Sequence, residues 1–447
     1  MVNSTLILIS LILLSNVAGI GGGIAHAASF ASVETFTKTY GGPQDEKANA
    51  LIQTSDGGYA LAGWTDSYGE GYYNFWLVKT DSRGKQLWAQ TYGTSGDSEA
   101  HSIVQTSDGG YALAGFTNST GAGVYSFWLV KTDAKGNQQW SQTYGAAGQD
   151  SEAYAMIQTS DGGFLLAGYT TTYGIGGRQI LLVKTDSNGN VIWSQTYGEA
   201  GDNVANSVIQ TSDGGYAIVG STDAVGAGGK DFYLIKVAAN GAFEWNQTFG
   251  GVGDDSAYSV VQSSDGGYVL AGYSYSFSSG YNNFWLVKTD SNGNQLWNQT
   301  YNAGSDGEAN SLIQTSDGGY AVAGSIQSNS GENYWLVKTD AEGVEQWNQT
   351  YGGSGDSYAN SLIQTSDGGY ALAGFTDSYG AGGYDFFLVK TTSTGTISTR
   401  STFNWDSLKG FLIIGAIIFI ILGAVLYIAA KTRKPAYNPH QEDQPKS

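Results

Sequence analysis

Seven aspartates, Asp45, Asp97, Asp150, Asp202, Asp254, Asp306 and Asp356, occupy one fixed place in this chain's internal order. Each precedes a second aspartate by 11 residues and is followed three places later by alanine. Carboxylates gathered at one rim by such spacing would hold a hard cation through oxygen ligands, calcium being the natural choice, or would draw in a cationic ligand. The favoured competing reading is that each short side chain caps its own loop by accepting backbone N–H groups. Lys79, Lys131, Lys184, Lys236, Lys288, Lys338 and Lys390 recur in the same way, and are expected to pair with the second aspartates.

Other chemistry is sparse. His101 is the one histidine between His26 and His440, and the chain has no cysteine. Histidine clusters, serine triads and thiolate metal sites therefore have no basis. Asp and Glu are plentiful enough for a carboxylate-pair glycosidase or lyase, but no pair stands out from the repeat background. The regions where the copies differ are Gly- and Tyr-rich. From them Tyr68, Tyr72, Tyr73, Tyr125, Tyr173, Arg178, Lys230, Tyr281, Tyr379 and Tyr384 are the expected ligand-binding residues, with rigid rings for contact and small polar neighbours for hydrogen bonds. Asn118, Asn246, Asn298 and Asn348 open N-x-Thr or N-x-Ser-type sequons.

The elements that must position these groups follow from Ser-Asp-Gly-Gly, which starts at Ser55, Ser107, Ser160, Ser212, Ser264, Ser316 and Ser366. Seven copies of a unit near fifty residues, with short apolar runs, Gly turns and no helical pattern, predict an all-β, seven-bladed β-propeller of four-stranded blades over residues 33–400. In the copy 97–144 the strands read as Ala100–Thr106, Tyr111–Thr117, Phe127–Thr132 and Gln139–Tyr144. The Ala-x-Ser strands are placed innermost and the Trp strands outermost. The loops entering the inner strands and those between second and third strands then share one face. The last copy has Thr399 where the others carry Trp88, Trp140, Trp193, Trp245, Trp297 or Trp347, whereas Phe36–Tyr40 matches Trp88–Tyr92 position for position. The N-terminal segment is thus expected to close the ring, Thr399–Phe403 being its rival.

The flanks predict a topology. Residues 1–27, apolar from Leu6 to Ile20 and ending Ala25-His26-Ala27, read as a secretory signal, although no Lys or Arg precedes the apolar stretch. Residues 401–409 form a stalk and 410–430 an uncharged run long enough to cross a bilayer as a helix. Lys431, Arg433 and Lys434 follow it, which places the tail 431–447 in the cytoplasm and the repeats outside a cell membrane crossed once. A net charge of −19 with 13% charged residues argues against a nucleic-acid partner.

The unit Thr289–Trp297, in which an Asp-to-Gly turn leads into a Trp strand, resembles the tryptophan-docking repeat of quinoprotein-like propellers. The region from Phe36 to about Arg400 also resembles Gly-rich cell-surface propeller repeats of archaea and bacteria. The resemblance implies the fold and not an activity. Quinoproteins usually have eight blades and often a vicinal cysteine pair; this chain has seven copies and no cysteine. The expectation is therefore a monomeric, membrane-anchored, non-catalytic module that binds a surface glycan or protein, with a structural envelope component and a carboxylate-dependent glycosidase or lyase as the alternatives. No cofactor beyond calcium is called for.

Overall fold

The computed structural model describes residues 34–119, 124–171, 176–278, 280–302 and 304–397, with Tyr427 and Lys431. The signal segment, the stalk and the apolar run with its tail lie outside the described residues, those two side chains excepted. Of those two, the Lys431 ammonium stands 5.9 Å from the centre of the Tyr427 ring. Among the described residues no helix is long and apolar enough to cross a membrane.

Residues 36–391 form seven four-stranded antiparallel sheets, a seven-bladed β-propeller. Blade 1 runs outward through Glu46–Gln53, Tyr59–Thr65, Asn74–Thr80 and Gln86–Tyr92, and blades 2 to 6 repeat the order. Second and third strands are buried along nearly their whole length, because a blade is covered on both faces by its neighbours. Their side chains read as continuous apolar runs for that reason. Each apolar cluster accordingly spans a seam between adjacent blades: Phe75, Leu77 and Tyr92 of blade 1 meet Ile103, Leu113 and Trp128 of blade 2.

Blade 7 combines Ser357–Gln364, Tyr370–Thr376 and Asp385–Thr391 with Phe36–Tyr40 as its outer strand. Phe36 pairs with Lys390 and Tyr40 with Phe386, so the N-terminal segment closes the ring. Phe36 meets Tyr59 of blade 1 edge-on at 6.1 Å, as Trp88 meets Tyr111 at 5.9 Å and Trp347 meets Tyr370 at 5.7 Å. The Trp series is thus a packed layer between blades. A tyrosine at the end of the outer strand adds a hydrogen bond across most seams: Tyr40 Oη donates to the Gly84 carbonyl at 2.6 Å and Tyr92 to Gly136 at 2.7 Å. Blade 4 carries Phe249 at that place and lacks the hydroxyl.

The lysines pair as expected. Lys79 Nζ lies 2.9 Å from Asp56 Oδ2, with the lysine buried and the aspartate more than half exposed, and the other six copies repeat the contact. Burial alone would raise the Asp56 carboxyl, but hydrogen bonds from Thr54, Lys79 and the Gly58 N–H outweigh it and hold the group at about 2.

One glycine position shapes the channel. Gly63 stands opposite Ala48, and a Cβ there would strike the Lys47 carbonyl and come within 2.8 Å of Ala48 Cα. The close approach accompanies a β-bulge between Ala48 and Ala50, which leaves residue 49 unpaired. Every inner strand repeats this bulge.

Candidate recognition mouth

The bulged residues are Asn49, His101, Tyr154, Asn206, Tyr258, Asn310 and Asn360, and all seven line a central cavity of about 590 Å³. The four asparagines clip neighbouring inner strands together: Asn49 Nδ2 donates to the Ala100 carbonyl at 2.9 Å, Asn206 to Ala257 at 2.8 Å, Asn310 to Ala359 at 3.0 Å and Asn360 to Ala48 at 2.9 Å. Blades 2, 3 and 5 replace the amide by His101, Tyr154 and Tyr258.

Two residues before each bulge the copies diverge again, through Lys47, Glu99, Glu152, Val204, Ser256, Glu308 and Tyr358. The second strand diverges opposite them, at Trp64, Phe116, Tyr169, Ser221, Tyr273, Ser325 and Phe375, paired respectively with those residues. Together with Tyr73, Tyr125 and Tyr384 they build an aromatic belt at one mouth of the channel. Trp64 meets Tyr73 at 4.4 Å, Phe116 meets Tyr125 at 5.0 Å, and Phe375 lies between Tyr358 at 4.9 Å and Tyr384 at 5.1 Å. The Lys47 ammonium sits among three of these rings, 4.7 Å from Phe375, 4.8 Å from Tyr384 and 5.6 Å from Trp64, so the belt already holds a cation. The Arg178 guanidinium lies 4.4 Å over Tyr169.

Acidic groups punctuate the belt. Glu152 accepts hydroxyl hydrogen bonds from Tyr169 at 2.6 Å and Tyr154 at 2.8 Å. Burial, with the neighbouring Glu152 and Asp97, pushes Glu99 up to about 7, against a smaller opposing pull from Lys47. Burial lowers His101 to about 4. At neutral pH the imidazole is therefore uncharged, and its 3.9 Å approach to Glu99 is not an ion pair. His101 stacks on Phe116 at 5.5 Å and meets Tyr154 edge-on at 5.2 Å. Burial also raises Glu308 and Glu332.

The seven regular aspartates lie on this face, but they cap a different loop from the one expected. Asp45 Oδ1 accepts the N–H of Tyr384 at 2.9 Å, Asp202 that of Arg178 at 2.8 Å, Asp254 that of Lys230 at 2.9 Å, Asp306 that of Asn282 at 2.9 Å and Asp356 that of Glu332 at 2.8 Å. Asp150 does the same for Tyr125 at 3.1 Å. Each donor belongs to the preceding blade, so the carboxylate staples the neighbour's loop rather than its own. The reason is the fold: the loop into an inner strand abuts the previous blade's approach to its third strand. Asp97 differs, taking the Tyr125 hydroxyl at 3.3 Å and leaving Oδ1 buried without a partner. Among the described residues no three His, Asp or Glu side chains gather where they could hold a metal ion. The staples confirm that the two loop sets share a face.

The remaining expected residues divide. Tyr68 and Tyr379 brace loops by donating to the carbonyls of Gly41 at 3.1 Å and Gly352 at 2.8 Å. Tyr72 and Tyr281 are exposed, Lys230 lines the cavity, and Tyr173 lies outside the described residues. Asn246, Asn298 and Asn348 are exposed on outer strands, whereas Asn118 Oδ1 accepts the Asp97 N–H at 2.7 Å. Sequence reasoning missed the bulge position and its two companions. The signal was present in the seven copies, as the variable residue of Ala-x-Ser and the residue after the second-strand glycine.

No family model matches the chain. A curated relative, the regulatory protein FlaEY of Caulobacter vibrioides, is 28% identical over 203 residues, covering 39% of this chain and 21% of that protein. This chain therefore spans a minor part of that relative. Among solved structures, puromycin hydrolase is similar over 80% of this chain and 54% of its own, with a TM-score of 0.52 and 14% identity. The Neurospora crassa Pan2 WD40 domain matches over 78% of this chain and 89% of its own, with a TM-score of 0.48 and 12% identity. The likeness to puromycin hydrolase is one of propeller fold alone. Propellers serve both as protein-binding scaffolds and as parts of enzymes.

Proposed function

We propose that the channel mouth is a recognition site that binds a surface glycan or a protein segment without turnover, in a protein displayed outside the cell and anchored through residues 410–430. The observation that carries this reading is convergence. Copies that share one strand order and one set of turns depart from one another at the bulge, two residues before it and opposite it, and these departures meet at one mouth. Rings such as Phe116, Tyr125 and Tyr358 offer stacking faces, and the asparagines and carboxylates offer directional hydrogen bonds. The uncharged run and the basic residues after it support the anchor and its orientation. Exposed Asn246, Asn298 and Asn348 are the proposed glycan acceptors, to be read by mass spectrometry of the purified protein.

The test is binding of the detergent-solubilised protein to a panel of envelope polysaccharides and surface proteins, repeated with Phe116→Ala and Tyr125→Ala. Retention that both variants lose supports the mouth. Retention unchanged by either moves recognition elsewhere. A second reading, hydrolysis or elimination on a polysaccharide, is favoured by the neighbouring carboxyls Glu99, buried and raised to about 7, and Glu152, hydrogen-bonded by Tyr154 and Tyr169. Product release from the same panel, lost in Glu99→Gln, would establish it. Calcium at the aspartate ring is read by melting with and without the ion. A raised midpoint that is lost when Asp202, Asp306 and Asp356 become Asn supports it.

A further inference from the structure

Two of the seven seams contain a pair of carboxyl groups sealed from solvent. At the closing seam, Asp385 begins the third strand of blade 7 and Glu46 the inner strand of blade 1, and both are fully buried. A Cβ on Gly41 would strike Asp385 Oδ1 and stand 2.6 Å from Glu46 Oε2, so the two oxygens face each other across one small space. Across the ring, Asp231 and Asp255 repeat the arrangement. Both are buried, and a Cβ on Gly250 would strike Asp231 Oδ1 and stand 2.8 Å from Asp255 Oδ2. The other seams put uncharged residues at these places: Asn74 with Ser98, Ser126 with Ser151, Gln179 with Asn203, Asn283 with Gly307, and Asn333 with Ser357.

Most of these carboxyl oxygens have donors. Glu46 Oε2 accepts the Gly42 N–H at 2.6 Å and Oε1 accepts Thr65 Oγ1 at 2.7 Å; Asp385 Oδ2 accepts the Ala381 N–H at 2.9 Å. Asp231 Oδ2 accepts the Ala227 N–H at 2.7 Å, and Asp255 Oδ2 accepts Ser276 Oγ at 2.6 Å. Asp385 Oδ1 is buried with no partner. The groups acting on Asp385 from neighbouring elements are Glu46 and Asp45, both acidic, and across the Gly41 loop stands the neutral phenol of Tyr68, which donates to the Gly41 carbonyl. For Asp231 the acting group is Asp255. Two bare negative charges in such a space repel without screening.

We infer that each of these seams is held by one proton shared between its two carboxyl groups, which makes ring closure tightest in mild acid and progressively looser toward neutral pH. A proton on Asp385 Oδ1 turns this unpartnered oxygen into a donor toward Glu46 Oε2 and removes one charge. Burial, then repulsion from Glu46 and Asp45, raises Asp385 to about 6, and burial with Asp255 raises Asp231. The sign follows: the folded chain binds the proton more tightly than the unfolded one. The stability it confers is full below the ordinary aspartate range and is lost as pH climbs to about 6.

The test compares thermal midpoints of the full chain from pH 4 to pH 8 with those of Asp385→Asn, Asp231→Asn and the double variant. Asparagine supplies a fixed N–H where the proton would sit, and three other seams already use Asn74, Asn283 and Asn333 there. The expected result is a wild-type midpoint that falls across pH 4–6.5 relative to the double variant, which melts higher at pH 7 and no higher at pH 4. The folded-to-unfolded ratio at neutral pH rises roughly a hundredfold at the Asp385 site. Parallel profiles would overturn the inference. So would a wild-type midpoint raised by millimolar calcium or magnesium at pH 7 and insensitive to them in Asp385→Asn, since the occupant would then be a metal ion. Should the double variant fail to fold, infrared spectra decide by difference: a protonated-carboxyl band present at pH 5, lost by pH 8 and weaker in Glu46→Gln than in the wild type supports the shared proton at the closing seam, the Asp231 pair and Glu99 supplying the remainder, and a band unchanged by Glu46→Gln refutes it.

Discussion

Replacing Tyr40 by alanine strikes the strand that closes the ring. Tyr40 is 6% exposed, it ends the five-residue pairing of Phe36–Tyr40 with the last third strand, and its hydroxyl donates to the Gly84 carbonyl of blade 1 at 2.6 Å. Removing a buried aromatic ring costs about 3–5 kcal/mol. The stranded carbonyl adds about 1–3 kcal/mol where water cannot reach it. A loss of about 4–8 kcal/mol is a large share of the net stability of an ordinary domain, about 5–15 kcal/mol. With a urea slope of about 3 kcal/mol/M, the midpoint should fall by about 2 M. Tryptophan fluorescence follows the transition, and Tyr92→Ala, at the same place inside a continuous blade, is the control. Equal losses mean that the N-terminal strand is as firmly built in as any other. A loss under about 1 kcal/mol for Tyr40→Ala beside a full loss for Tyr92→Ala would refute the reasoning and return Thr399–Phe403 as the closing segment.

Other expectations follow from the same seams and pairs. Phe249→Tyr supplies the hydroxyl that blade 4 lacks and should stabilise by about 1 kcal/mol, read from the same urea curves. Asp161→Ala leaves the Lys184 ammonium, 4% exposed, without its carboxylate at 2.9 Å and should cost about 3–5 kcal/mol. Lys184→Met should cost clearly less, because Asp161 is more than half exposed and keeps its bonds from Thr159 and Gly163. An equal cost for the two changes would contradict the asymmetry. Glu99, held at about 7 mainly by burial, binds its proton more tightly in the folded chain. Its contribution to stability should therefore fall as pH rises from about 4.5 to 7, and Glu99→Gln should flatten that part of the profile.

The repeats make the architecture legible in the sequence, because turn residues and buried strands obey local rules that recur seven times. Strand order, the inner position of Ala-x-Ser and closure by Phe36–Tyr40 all followed from comparing copies. The partners of the aspartates did not follow, since the staple joins loops of different blades and no local signal says which neighbour's N–H points at Asp202. The mouth was half legible. Tyr73, Tyr125 and Tyr384 lie in the divergent loops, but His101, Tyr154 and Tyr258 reach the channel through a bulge, and a bulge reverses the alternation by which a strand residue's facing is read. The sealed carboxyl pairs were invisible for a related reason: Asp385 and Glu46 are far apart in the chain and meet only when the ring shuts.

The pairing of Phe36 with Lys390 has a mechanical side. The mouth lies where Asp385 meets Glu46, at the start of each third strand, so Lys390 and its partner Phe36 sit at the opposite end of the blade. The chain thus enters and leaves the ring side by side, on the face away from the mouth. A pull on both flanks would open this antiparallel pair one rung at a time, like a zipper, whereas a pull on one flank alone, with the mouth engaged, would spread the force over the whole blade. Force applied to one flank against an engaged mouth is therefore borne along the blade's stronger direction.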